Sequence, residues 1–326
     1  MTTGFGKALF ASLFCFAVSA AAQESFPSRP LTIVVPTGPS GQTDVFARLI
    51  AEQLRQRFNQ PVVVENRPGA GGVVAGRYLA SRPADGYTLM YGSMSTIIIA
   101  PQLQKPLAYD STRAFAPIAL TQSGSSPATV RAALPVRSGR ELVEYAKQNP
   151  EKVNFGSQGV GSVGHLAMEL LSAKAGIRMT HVPYSGTGPA LAALLAGQVD
   201  VVFADILTSR PHVQSGALRY VSQLAMTRSR ALPDVPTLAE ELKIPELAMD
   251  FWLGLFAPAG TPEPLVHRLN QELAAVMQAP SLKDRLDSIS MATSGMAPEQ
   301  FSRLIAEQWE TWGKVVRDNN ISAGGN

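Results

Sequence analysis

Leu31–Asp44, LTIVVPTGPSGQTD, is the stretch on which the reading of this chain turns. Leu31 to Val35 is an apolar, β-branched run between prolines, long enough for one buried strand and too short for a helix. Pro36-Thr37-Gly38-Pro39-Ser40-Gly41 follows as a loop whose glycines tolerate positive φ and leave backbone N–H groups uncovered. From Thr43 the period changes: Val45, Phe46, Leu49, Ile50, Leu54 and Phe58 line one side of a helix, with Arg48, Glu52 and Arg55 on the other. Strand, small-residue loop and helix start together aim free donors and a positive helix end at one point, a geometry that attracts an anion. A plainer reading stands beside it. Glycine-rich strand-to-helix turns occur throughout α/β domains, and Asp44 complements the helix dipole with or without a ligand.

Recurrence favours the ligand reading. Pro61 to Glu65 reads as a second strand, Asn66 to Gly72 as a second glycine loop and Val73 to Ser81 as a short helix. Tyr87 to Tyr91 is a third strand, ending at Gly92-Ser93. Phe115 to Leu120 and Ala128 to Ala132 look like extended connecting segments, with Ser123 to Pro127 between them as a hinge. Ser138 with Glu141, and Thr237 with Glu240, match capping boxes that open helices. The opening theme returns in Val153 to Phe155, the loop Gly156 to Gly161 and a helix from Ser162 to Ala175. It returns again in Met179 to Val182, the loop Pro183 to Gly188 and a helix from Pro189 to Ala196. Val199 to Phe203 is the next strand, ending at Ala204-Asp205. Thr261 and Pro262 read as cap and first residue of a helix carrying Leu265, Leu269, Leu273 and Val276; Phe301 to Val315 marks a long last one. Alternating strands and helices imply a largely parallel sheet with ligands beyond the strands' carboxyl ends, where Ser40 and Ser93 lie.

The chain has 326 residues, 45% hydrophobic and 16% charged, which suits two compact units with ordinary cores. Its net charge of +3 is spread along the chain, which argues against a nucleic-acid surface. Residues 1–22 read as a signal peptide: Lys7 is the one charge before Glu24, Ala8 to Ala22 is apolar and small, and Ala20 and Ala22 offer cleavage contexts. Cys15, the one cysteine, falls within it, so the exported product has neither a disulfide nor a thiolate metal site.

Three motifs compete with the ligand reading. Gly159-Val160-Gly161-Ser162-Val163-Gly164 matches a dinucleotide fingerprint, yet no Asp or Glu follows between Leu170 and Val199, where a ribose ligand belongs about 20 positions on. Ser162 has Val160 in place of the first glycine of a hydrolase nucleophile elbow. His165, His181, His212 and His267 are too scattered for metal-ligand spacing, so neither metal nor cofactor is implied. His165, in the first turn after a glycine loop, is placed to bond a ligand or its own loop.

Val34-Val35-Pro36 with Gly41-x-Thr43-Asp44, Val64 to Gly72, Pro83-x-Asp85-Gly86-Tyr87-Thr88-Leu89, His181-Val182-Pro183-Tyr184, Gly197-Gln198-Val199-Asp200, Leu232 to Thr237 and Ala257 to Pro262 run through the chain in order. Together they resemble the Bug-type extracytoplasmic solute receptors of tripartite tricarboxylate transporters. The resemblance implies a periplasmic α/β protein of type II binding-protein topology, a two-lobe Venus flytrap with a mixed sheet in each lobe. Residues 23–124 and 249–326 would form lobe I and 125–248 lobe II, with two hinge crossings near Ser123 and Trp252. It implies a monomer that captures a small carboxylate, largely through backbone N–H groups and waters of the loops Gly38 to Thr43 and Ser157 to Ser162, and hands it to membrane permease subunits. The candidate binding residues are Thr37, Gly38, Ser40, Gly41, Gln42, Thr43, Ser93, Ser157, Gln158, Gly159, Ser162, His165, Tyr184, Ser185, Gly186, Thr187 and Asp205.

The chain departs from the family pattern at three points. Ser40-Gly41-Gln42 stands where members usually carry glycines, so two side chains enter the pocket mouth. Ser185 replaces a lysine often found after the Pro-Tyr pair. Ala204 stands where an acid is usual, with Asp205 next to it, and an aspartate in that region of the family can select an amino group or hydroxyl on the ligand. Two other functions remain open at this point: a sensor presenting its ligand to a membrane kinase, and an exported serine hydrolase using Ser157 or Ser162.

Overall fold

Each short apolar run becomes a strand, and each 3.6-residue pattern a helix, in a computed structural model that describes residues 26–104, 106–289, 291–294 and 296–322. The segment expected as a signal peptide lies outside these residues. The chain opens with β1 (Leu31–Val35), α1 (Gln42–Phe58), β2 (Val62–Asn66), α2 (Val73–Ala80) and β3 (Thr88–Ser93). After α3 (Ala100–Gln102) and α4 (Ser111–Ala114), it passes through β4 (Phe115–Gly124) and β5 (Ser126–Arg131). A second α/β unit follows: α5 (Gly139–Gln148), β6 (Asn154–Ser157), α6 (Val163–Ala175), β7 (Thr180–Pro183), α7 (Thr187–Leu195), β8 (Val201–Phe203), α8 (Ile206–Gln214), β9 (Leu218–Leu224) and α9 (Leu238–Leu242). The chain then returns through β10 (Phe251–Pro258) to α10 (Glu263–Met277), α11 (Pro280–Ser288), β11 (Ala292–Thr293) and α12 (Pro298–Asp318).

Two mixed sheets result, ordered β11-β4-β10-β3-β1-β2 and β7-β6-β8-β5-β9. β1 is parallel to β2 and β3, and β6 to β7 and β8, while β10 and β5 run antiparallel to their neighbours. Leu31, Ile33 and Val35 pack on one side of the first sheet with Phe46, Ile50, Leu54, Leu269 and Leu273, whereas Val34 and Met90 face the opposite core with Leu79 and Phe301. That alternation is the period of two of a strand covered by helices on both faces, and each such side chain contributes about 1.5–3 kcal/mol of burial.

The chain leaves the first sheet at Gly124, enters the second at Ser126 and comes back at Phe251. Trp252 is the direct register partner of Ser123, and Phe251 that of Gly124, so the outgoing and returning crossings lie side by side. The indole N–H of Trp252 donates to Gln308 Oε1 at 2.7 Å, tying the returning strand to α12.

Several local expectations need correction. Phe115 to Leu120 and Ala128 to Ala132 are not mere connectors; β4 lies between β10 and β11, and β5 between β8 and β9. Pro117 falls where the β4–β10 register shifts, a place that tolerates a missing donor. Thr261 does not cap α10, because its hydroxyl donates to the Pro258 carbonyl at 2.8 Å and the helix begins at Glu263. Ser138 caps α5, but Glu141 reaches back to the Arg137 amide (2.7 Å), leaving that box half formed, whereas the Thr237–Glu240 box is complete.

Candidate functional site

The carboxyl ends of β1, β2 and β3 in one lobe face those of β6, β7 and β8 in the other across a cavity of about 220 Å³. Drug-sized ligands usually occupy about 300–1,000 Å³, so this space suits something smaller. From the loop after β1, Thr37, Gly41, Gln42 and Thr43 line the wall. The loop after β6 supplies Gln158, Gly159 and Ser162; the loop after β7 supplies Tyr184, Ser185 and Thr187; Ser93 and Asp205 close the wall from two further strand ends.

Five candidates stand outside the lining residues, each for a physical reason. The Gly38 amide donates to the Ser185 carbonyl at 2.8 Å, which commits it to the seam between lobes, and Gly186 presses on the same seam. Ser40 has φ 70° and its amide donates to Asp44 Oδ2 (3.0 Å), so it does not enter the pocket mouth beside Gln42. The Ser157 hydroxyl faces His181 Nε2 at 2.7 Å, and His165 accepts the Gly161 amide at Nδ1 (3.2 Å), behind the loop instead of in the cavity.

Part of the wall comes from residues outside those candidates. Pro68 to Gly72, the second glycine loop, lines the cavity; so do Ser95 and Thr96, Ser125 and Ser126 at one crossing, and Phe251 at the other. The glycine content of 69–72 was the available signal for the first of these. Ser95 and Thr96 gave none, since they sit in a short π-type turn, Ser95–Ile99, that has no strand or helix period.

The lobes meet around this space. Besides the Gly38–Ser185 bond, the Val163 amide donates to Ser95 Oγ at 2.9 Å. A Cβ on Gly71 would lie 2.2 Å from the Val160 carbonyl oxygen, so the two backbones already touch.

No lysine, arginine or histidine is among the lining residues, and Asp205 is their one carboxylate. An anion must therefore be met by amides and hydroxyls. In the loop after β6 many amides are already spent: Gly159 on Ser157 Oγ, Gly161 on His165 and Ser162 on the Gly159 carbonyl. The first-turn amides of α1 at Gln42 and Thr43 have no helical carbonyl to reach, and those of α7 at Thr187 and Gly188 share that position. Asp44 supports the α1 end from behind. Burial raises its pKa, but hydrogen bonds from Arg48, Asn66 and the Ser40 amide outweigh that and hold it below the ordinary value.

Four buried side-chain atoms on the wall lack a hydrogen-bond partner among the described residues: Thr37 Oγ1, Gln42 Nε2, Ser125 Oγ and Asp205 Oδ2. Buried polar atoms are paired in the great majority of cases, so such a cluster marks a place for a polar guest. Asp205 Oδ1 is spent capping α8 through the Thr208 amide (2.8 Å) and hydroxyl (2.9 Å). Burial pushes the Asp205 carboxyl up.

Ser157 does pair with a histidine, its hydroxyl 2.7 Å from His181 Nε2, but neither serine of the hydrolase alternative presents a free hydroxyl to the cavity. Ser162 Oγ accepts the His165 amide as helix cap, and Ser157 is fully buried. Glu263, His267 and Glu299 do come together, with His267 Nε2 3.6 and 3.2 Å from the carboxylates, on an exposed face away from the lining residues.

The model of the tripartite tricarboxylate transporter family receptor matches residues 46–321. The chain is similar to BugT of Bordetella pertussis, at 32% identity over 90% of each chain. It is similar in structure to an R. palustris protein solved with adipate, with 32% identity, TM-score 0.85 and 91% and 99% of the two chains covered. MatC of Rhodopseudomonas palustris, solved with malate, gives 35% identity, TM-score 0.84 and coverage of 89% and 100%.

Proposed function

The chain belongs to the tripartite tricarboxylate transporter receptor family, and from that membership we propose that it is a periplasmic receptor that closes on a small carboxylate and delivers it to membrane permease subunits. The observation that carries this reading is the set of unpartnered polar atoms on a wall without cations. Gln42 Nε2 and the Thr37 hydroxyl, beside the free amides of α1, offer a carboxylate its donors. Hydrogen bonds to a charged group are worth about 1.5–3 kcal/mol each, enough for affinity without an arginine. The related proteins solved with adipate and malate support a dicarboxylate as the class.

Asp205 Oδ2 favours a finer choice. The Thr187 side chain lies near this carboxyl but does not meet Oδ2 in hydrogen-bonding geometry, so a ligand hydroxyl or ammonium group opposite the anchored carboxylate would complete it. A site built around such a bond discriminates strongly against the analogue that lacks it. Calorimetry with malate and succinate, which differ by one hydroxyl, tests both levels at once. We expect malate to bind at least about tenfold more tightly, and Asp205→Ala to abolish the difference. Equal affinities would remove the role given to Asp205. Silence toward every dicarboxylate, tricarboxylate and aromatic carboxylate, with no small molecule retained in native mass spectrometry of freshly purified protein, would remove the carboxylate reading itself.

A further inference from the structure

Behind the loop 157–162 lie two histidines that take no part in the wall. His165, on α6, is fully buried, and its ring stacks on that of His181, on β7, with centroids 4.2 Å apart and planes at 25°. His181 stacks in turn on Phe155 at 4.8 Å. β6 and β7 pair in parallel with Phe155 opposite His181, and Ser157, two residues on, shares the Phe155 face. Each ring therefore meets the loop at one polar atom. His165 Nδ1 accepts the Gly161 amide, and His181 Nε2 pairs with the Ser157 hydroxyl, which itself accepts the Gly159 amide at 3.1 Å.

A core that needed only volume at these positions would be served by leucine or phenylalanine. Burying imidazoles, His165 fully and His181 in part, costs free energy unless their nitrogens are bonded, and His165 Nε2 has no hydrogen-bond partner among the described residues. The nitrogens that are bonded face this loop. Accepting an amide at Nδ1 also requires His165 to be neutral with its proton on Nε2, 3.8 Å from Glu169 Oε1. The titratable groups facing the pair are each other and Glu169.

We propose that His165 and His181 are positioning residues for ligand recognition, holding the backbone of loop 157–162 in its binding shape through Gly161 and Ser157. The inference rests on the carboxylate reading of the cavity. Its first readout needs no ligand.

Asparagine places an acceptor near the position of Nδ1, and glutamine places near Nε2 an amide that can accept from the Ser157 hydroxyl or donate to it while that hydroxyl donates to the Gly159 carbonyl, whereas leucine keeps bulk without either. In ligand-free protein, His165→Leu and His181→Leu should speed hydrogen exchange in the peptide spanning 157–163 by about tenfold, the equivalent of one lost hydrogen bond. His165→Asn and His181→Gln should restore exchange toward wild type. Malate affinity should fall about tenfold in the leucine variants and return in the amide variants. The proposal is overturned if the leucine variants exchange like wild type, or if the amide variants are as impaired as the leucine ones. Should the leucine variants not fold, nitrogen NMR of the wild-type imidazoles decides. His165 must show the neutral Nε2–H tautomer across pH 5–8, and any other state sinks the proposal. A wild-type protein that protects the loop but binds no malate would contradict the carboxylate reading alone.

Discussion

Asp44 acts on the cavity without touching it. Its carboxylate accepts the Ser40 amide, the Asn66 side chain (2.8 Å) and Arg48, which fixes the turn while leaving the first amides of α1 free for a guest. Asp44→Ala takes the acceptor from the Ser40 amide, the Asn66 side chain and Arg48, so unfolding free energy in urea should drop by about 1–3 kcal/mol, with malate affinity falling as well. An unchanged urea midpoint would show that the turn holds itself. His165 gives the residue scale a pH signature. Burial, and after it the neighbouring His181, holds His165 at about 3 from an ordinary 6.5; burial holds His181 at about 4. The unfolded chain takes up these protons below about pH 6.5 while the folded form refuses them. The stabilisation is thus complete above pH 6.5 and is lost as pH falls toward 4. Over that window His165→Asn should flatten the pH dependence of unfolding free energy by about 1.4 kcal/mol per pH unit relative to wild type, and parallel curves would contradict the assignment. At this scale the sequence made Gln42 and Ser162 legible, because a position just after a glycine loop places a residue at a helix start. It did not separate Ser157 from Ser162. Which side of the loop faces the cavity depends on β7 and His181 arriving from a later part of the chain.

Among elements, α9 is one whose start was readable to the residue. The Thr237 hydroxyl accepts the Glu240 amide (3.1 Å) while Glu240 accepts the Thr237 amide (2.9 Å), a reciprocal pair that depends only on a spacing of three. Thr237→Ala should cost about 1 kcal/mol of unfolding free energy in a urea titration, with malate affinity unchanged because α9 lies outside the wall. A loss much larger than that would mean that Thr237, itself buried, also supports β9. The strands β1, β2, β3, β6, β7 and β8 were legible for a similar reason, being apolar runs punctuated by glycine and proline. β4 and β5 were not. Both carry a proline inside the strand, and the register shift that accommodates Pro117 is a property of β10, more than a hundred residues later. The π-type turn at Ser95–Ile99 follows no period at all, which is why its part of the cavity wall stayed hidden, whereas the 3-10 turn at Ala70–Gly72 lay within a glycine loop that the sequence did mark.

At the scale of the molecule, recognition depends on how closely two backbones approach. Paired crossings at Gly124–Phe251 and Ser123–Trp252 keep the lobes adjacent, but the wall is complete only when the Ser95–Val163 and Gly38–Ser185 bonds join it. A ligand that contacts both lobes shifts the population toward this closed form by its differential affinity, and by nothing else. Gly71 is where that approach is tightest, with φ 64° and an added Cβ 2.2 Å from the Val160 carbonyl of the opposite lobe. A carbonyl fixed in a glycine loop does not swing aside as a flexible side chain does. Gly71→Ala should therefore stop closure short, and the isolated lobe bears about 1–2 kcal/mol from the left-handed conformation plus a clash of the new Cβ with Ala100 Cβ, 2.8 Å away in the same lobe. In small-angle X-ray scattering the wild type should contract on adding saturating malate, whereas the variant should keep its ligand-free radius of gyration, with malate affinity reduced at least about tenfold. A variant that contracts and binds like wild type would mean that the touching backbones are incidental, and that recognition is finished within one lobe.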